Sequence, residues 1–64
     1  MLYLKEKRLE KGMTQEGLAQ SCGISRQRVT NYENGIREPD IETLKKLSSS
    51  LGCTVDDLLK KHEP

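Results

Sequence analysis

An all-α fold is predicted by three features of this chain. Apolar residues recur at three- and four-residue intervals along most of its length, no segment alternates β-branched with polar residues as a strand does, and aromatic residues make up only 3% of the sequence. Sixty-four residues make a single domain, here taken as 1–64. A chain of this size buries only about 60% of its unfolded surface, so the core must be a small helical one. Internal repeats and low-complexity segments are absent.

Five helices are expected. The first covers residues 2–11 and stops at Gly12, with Leu2, Leu9 and Met13 in the core and Leu4 as a further contact. A start this early leaves no N-terminal arm. Thr14 can cap the second helix, although Gly17 stands where a capping box calls for Glu or Gln. Glycine inside a helix costs roughly 0.5–1 kcal/mol relative to alanine. Leu18 and Ala19 share one face with Cys22 a turn later, and Ala19 is small enough for another helix to cross close above it. Gly23 ends the helix, Ile24 points back to the core, and Ser25 caps the third helix, whose buried stripe is Val29 and Tyr32. Asn34-Gly35 stops that helix. After a loop at 36–39, Asp40 caps a fourth helix with the stripe Ile41, Leu44, Leu47 and Leu51, ended by Gly52. Thr54 and Asp57 open a fifth in capping-box fashion, where Val55, Leu58 and Leu59 face inward or toward a partner.

The most informative stretch is residues 15–34, QEGLAQSCGISRQRVTNYEN. Two short helices broken by a glycine, with apolar residues where they touch and hydrogen-bonding residues where the second faces outward, make a DNA-reading helix-turn-helix. On a helical wheel Gln27, Thr30, Asn31 and Asn34 lie opposite Val29 and Tyr32, with Arg26 and Arg28 flanking them and no acid on that face. Amides bond adenine edges bidentately and arginines do the same for guanine, so these are side chains suited to major-groove readout. A merely solvated polar face would fit the wheel alone; the tight turn and the helix before it favour the reading helix. Gln15, at the N-terminal end of the second helix, is placed to meet a phosphate alongside the backbone N–H groups there.

Charge distribution fits this reading. Residues 1–37 hold seven Lys or Arg against four Asp or Glu, a net of +3, whereas residues 38–64 hold four against six, a net of −2. A basic half that contains the reading helix orients the domain toward phosphate and makes binding salt-dependent.

Other classes find less support. The lone His62 lies near the C-terminus, and neither a Ser/His/Asp set nor paired carboxylates can be assembled, so no catalysis is implied. Cys22 and Cys53 occupy positions suited to small apolar side chains and read as reduced thiols of a reducing compartment; with His62 they supply too few ligands for zinc, and no metal or cofactor is expected. No leader or membrane-spanning run is visible, which predicts a soluble cytoplasmic protein with no membrane partner.

From Leu4 to Leu59 the chain resembles the lambda-repressor-like, or Xre/Cro-like, helix-turn-helix domains. The resemblance rests on Arg8, Gly12-Met13-Thr14-Gln15, Leu18-Ala19, Gly23, Tyr32-Glu33-Asn34-Gly35, Pro39 and Leu51-Gly52, all at matching spacing. It implies a compact five-helix domain with the helix-turn-helix at helices 2 and 3, and a transcriptional regulator, in most cases a repressor, that binds a double-stranded DNA operator. By the same resemblance Arg8 and Glu33 form a partly buried ion pair that fixes the reading helix. Asn34 and Arg37 hold the DNA backbone, Ser25, Arg26, Gln27 and Asn31 approach base edges, and Arg28 and Thr30 go to phosphate or base. The pattern departs at Lys7, where many relatives carry leucine, and Leu9 is expected to take over that packing. A single reading helix offers little area, so useful specificity calls for a homodimer on two half-sites about 34–36 Å apart, with Val55 and Leu59 as interface candidates. The alternative is an antitoxin that binds a protein partner and represses its own operon.

Overall fold

The computed structural model describes residues 2–59 and arranges them as five helices: α1 (Leu4–Glu10), α2 (Gln15–Cys22), α3 (Arg26–Glu33), α4 (Ile41–Leu51) and α5 (Val55–Leu59). Side-chain caps set most of the starts. Thr14 Oγ1 accepts from the Gly17 N–H at 2.9 Å, Ser25 Oγ from the Arg28 N–H at 3.2 Å, and Asp40 Oδ1 from the Thr43 N–H at 2.8 Å. Thr54 and Asp57 cap each other reciprocally, both bonds being 3.1 Å. Hydrogen bonding to Thr43, helped by the charge of Arg28, holds the Asp40 carboxyl below its ordinary pKa of 3.8. Because the folded-state pKa is the depressed one, the stabilising effect of this cap is present above pH 3.8 and fades as the pH falls through the lowered pKa.

α1 has no side-chain cap; instead the Tyr3 N–H donates to the Leu58 carbonyl at 2.8 Å, which ties the start of the chain to α5. α2 packs against both α3 and α4, α4 against α5, and α1 against α3. Leu4, Leu18, Val29, Leu47 and Leu58 are fully buried at the centre, with Ala19, Cys22, Tyr32, Leu44 and Leu51 around them. Burying each of these leucines contributes roughly 1.5–3 kcal/mol. Ala19 sits in this core beside Leu18, as the close approach of α2 and α3 requires.

Two apolar positions differ from the sequence expectation. Helix α1 begins at Leu4 rather than residue 2, and its buried stripe is Leu4 with Arg8, one turn apart. That register turns Leu9 outward, 58% exposed, so it does not take over any packing from Lys7. Lys7 is itself largely covered and lies 3.8 Å from Glu10. In α4 the buried stripe is Thr43, Leu44, Leu47, Ser48 and Leu51, whereas Ile41 is 65% exposed at the first turn. Two small hydroxyl residues replace the expected isoleucine on the inner face, and Ser48 satisfies its hydroxyl by donating to the Lys45 carbonyl at 2.9 Å.

The turn between α2 and α3 depends on Gly23, whose φ of 70° lies in the left-handed region. This conformation lets the Ile24 N–H reach the Ala19 carbonyl at 3.0 Å and seats Ile24 against the core. A Cβ at Gly23 would meet nothing within 4 Å. Gly23→Ala is therefore expected to cost only the conformational penalty, about 1–2 kcal/mol, read as a lower urea midpoint with an unchanged slope. A loss several times larger would mean that the turn cannot be kept with any side chain there. Gly17 has a different basis: its Cβ would stand 3.1 Å from Thr14 Oγ1, the atom that caps α2.

Candidate nucleic-acid interface

The geometry of the outer face begins with a buried anchor. Arg8 Nε donates to Glu33 Oε2 at 2.7 Å and Arg8 Nη2 to Glu33 Oε1 at 3.3 Å, a forked pair that joins α1 to the C-terminal turn of α3. Arg8 Nη1 donates to the Met13 carbonyl at 2.8 Å, so the same guanidinium also fixes the approach to α2. The Glu33 side chain is only 2% exposed and takes a further bond from Gln15 Nε2 at 3.0 Å. The ion pair implied by resemblance is thus present in the structure, and each of the three Arg8 nitrogens donates a hydrogen bond.

Gln15 does more than the sequence suggested. Its side chain lies against α3, with Nε2 on Glu33 and Oε1 facing the Thr30 hydroxyl at 3.4 Å. One amide hydrogen and the N-terminal backbone of α2 remain for an anion. The single Thr30 hydroxyl proton is shared between Gln15 Oε1 and the nearer Arg26 carbonyl at 3.1 Å, so this side chain is turned along the helix toward the α2 flank, not straight outward.

Gln27 is exposed and Asn31 half-buried on the outer side of α3. They lie one turn apart, and Gln27 Nε2 donates to Asn31 Oδ1 at 3.1 Å, which orients both amides side by side. Arg26 is exposed next to them, and no acid stands in the first turn. The Ser25 hydroxyl accepts the capping bond yet keeps its own proton to donate. Arg28 lies along the other flank: its Nε and Nη2 donate to the Tyr32 hydroxyl at 3.1 and 2.8 Å, and its guanidinium carbon stands 5.8 Å from the ring centroid. Arg28, Asn31, Tyr32, Arg37, Glu38 and Asp40 line one cleft between α3 and the loop that follows it. Asn34 closes α3 at the edge of a neighbouring cleft that it shares with Leu2 and Arg37.

Arg28–Tyr32 was absent from the sequence reading, although its i, i+4 spacing could have signalled it. The inward role of Gln15 carried no such signal, because its partner Glu33 is 18 residues away. Among the described residues no group of His, Cys, Asp or Glu is arranged to hold a metal ion, and His62 lies outside them. Cys22 and Cys53 are free thiols at the core, and burial pushes the Cys53 thiol up, away from a reactive thiolate.

Comparison with known proteins places this geometry. The chain is 49% identical over 57 residues to the SPbeta prophage-derived uncharacterized HTH-type transcriptional regulator YonR of Bacillus subtilis, covering 89% of this chain and 53% of YonR. It is 42% identical over 60 residues to the HTH-type transcriptional regulator ImmR of the same species, covering 94% of this chain and 47% of ImmR. The chain thus spans about half the length of these curated relatives. Among solved structures, the biofilm master regulator SinR in complex with DNA superposes with a TM-score of 0.83 at 31% identity, covering 89% of this chain and 92% of that one. The N-terminal DNA-binding domain of SinR from Bacillus subtilis gives 0.84 at 29% identity, covering 95% and 90%. A family model described as helix-turn-helix matches residues 4–58, the span of all five helices but for the last residue. With that match, and with α2 and α3 joined through Gly23 in this geometry, the chain belongs to the helix-turn-helix family of DNA-binding domains in its lambda-repressor-like form.

Proposed function

We propose that this domain reads a DNA operator through the major groove as part of a transcriptional repressor that acts as a homodimer. The observation that carries the proposal is the exposed Gln27–Asn31 pair on α3, two amides held side by side on a helix locked to its scaffold by Arg8 and Glu33. A helix presented in this way fits the major groove, and paired amides match the donor and acceptor on an adenine edge. Arg26 and Ser25 extend the readout toward the start of the helix, while Gln15, Asn34 and Arg37 hold phosphates that set the register. The names of both curated relatives, each an HTH-type transcriptional regulator, support the regulatory role. Among the described residues no helix is long and apolar enough to cross a membrane, and we place the protein in the cytoplasm with its DNA.

Footprinting on the DNA that flanks its own gene tests the reading. A protected site with pseudo-twofold symmetry, bound at least about a thousandfold tighter than a scrambled duplex, is the expected result, the lower end of the ordinary span of operator specificity, about 10³–10⁷. Equal affinity for both duplexes would leave only a general DNA-binding role.

Dimerisation is assigned to α5. Leu58 is fully buried and Val55 packs partly against the core, which leaves Leu59, 49% exposed, as the apolar residue that a second copy would cover. Leu59→Lys is expected to shift the protein toward monomer in sedimentation and to weaken operator binding by about tenfold or more, while leaving the unfolding midpoint of the monomer nearly unchanged. A wild-type protein that is monomeric at high concentration both free and on DNA would remove the dimer from the proposal.

A further inference from the structure

We infer that the Tyr32 hydroxyl is a positioning group for Arg28, holding its guanidinium beside Arg37 as a two-arginine clamp on the phosphates of the strand across the groove from Gln15. The inference rests on the DNA-reading role proposed above and assigns a part of that contact to a residue that otherwise counts as core.

Tyr32 is 5% exposed, and packing alone would be served equally well by phenylalanine. What the hydroxyl adds is one acceptor that takes two donors from the same arginine, Nε at 3.1 Å and Nη2 at 2.8 Å. An exposed arginine ordinarily samples many rotamers and loses that freedom when it binds; a guanidinium already held has less to lose. Three N–H donors of Arg28 and the Tyr32 hydroxyl proton stay available to a ligand.

The location argues for phosphate over base. Tied to Tyr32, Arg28 lies back along α3 toward the loop, where it lines a cleft with Arg37 and with Asn31 of the reading face. The Arg37 side chain makes no hydrogen bond or ion pair among the described residues. Two carboxylates, Glu38 and Asp40, line the same cleft; the Arg28 charge reaches Asp40, but neither carboxylate forms an ion pair with these arginines, and Asp40 accepts from the Thr43 N–H at 2.8 Å. Gln15 and Thr30 occupy the opposite flank of α3. A helix seated in the major groove has one phosphate backbone on each side, so the two flanks meet different strands.

Titration of a scrambled duplex and of the operator duplex at several salt concentrations tests this. Arg28→Ala is expected to weaken both by the same factor and to reduce the salt slope by about 0.9, one phosphate contact. Tyr32→Phe is expected to weaken both about three- to tenfold, the range of one ordinary hydrogen bond, and to add nothing when combined with Arg28→Ala. Arg28→Lys, which leaves the Tyr32 ring and the core intact but cannot make the forked bond, should reproduce the Tyr32→Phe loss even if the latter protein folds poorly. Tyr32→Phe binding like wild type, a double variant that shows both losses in full, or an Arg28→Ala change in the operator-to-scrambled ratio would each overturn the clamp. Wild-type protein that binds neither duplex would overturn the DNA-reading proposal itself.

Discussion

Arg8→Ala is expected to lower the unfolding free energy by about 3 kcal/mol, the lower end of what stranding one member of a buried ion pair costs. A 64-residue domain has only roughly 3–10 kcal/mol in total, so this one change removes a large share of it. The size follows from the geometry. Arg8 is 7% exposed, the Glu33 side chain 2%, and without the guanidinium the carboxylate keeps only Gln15 as a side-chain partner among the described residues, while the Met13 carbonyl loses its own donor. Glu33→Ala should cost a similar amount from the other side, because it strands Arg8 and releases Gln15 together. The double variant should lose less than the sum of the two, since it leaves neither charge unpaired. Urea unfolding at equal slope provides the comparison. Unchanged curves for both single variants would make the pair a surface contact of no structural weight and would remove the argument that it sets the pose of α3.

This pair also shows why part of the structure was legible in the sequence. Every side-chain cap was visible, because Thr14, Ser25, Asp40 and the Thr54–Asp57 couple act within three residues and their hydrogen bonds are decided locally. The stripe of α3 was visible for the same reason, as Val29 and Tyr32 are its only bulky apolar residues. Leu9 and Ile41 were misplaced because residue type was used as a proxy for facing. In α1 the inward position one turn from Leu4 is held by Arg8, a charged residue that hydropathy assigns to water; once Arg8 is inside, Leu9 is turned out. In α4 Thr43 and Ser48 are small enough to lie against the core, which leaves Ile41 beside the Asp40 cap at the helix edge. The outer face of α3 was legible in composition but not in its bonding. Gln27–Asn31 follows helix periodicity, whereas the grip of Gln15 on Glu33 depends on how α2 meets α3 in space.

That distinction between side chains that face outward and those that are tied inward leads to two separable signatures on DNA. Gln27→Ala is expected to cost about 1–3 kcal/mol on the operator and much less on a scrambled duplex, because its amide is assigned to a base edge. The loss should have a second component, since Gln27 also orients Asn31 through the 3.1 Å bond between their amides. Asn31→Ala in the Gln27→Ala background should therefore cost less than it does alone. Arg37→Ala should behave differently: both duplexes weaken by similar factors, and the salt slope falls by about one contact. Gln15→Ala combines the two kinds of effect, as it removes a candidate phosphate ligand and also frees Glu33 and Thr30, so it should weaken both duplexes and lower the unfolding midpoint as well. Titrations of each variant against operator and scrambled DNA at several salt concentrations separate these outcomes. If Gln27→Ala leaves the ratio of the two affinities intact, the Gln27–Asn31 pair is a solvated face and not the reading edge of α3. If Arg37→Ala changes the ratio as strongly as Gln27→Ala does, bases are read from the loop after α3 and the roles assigned to helix and loop must be exchanged.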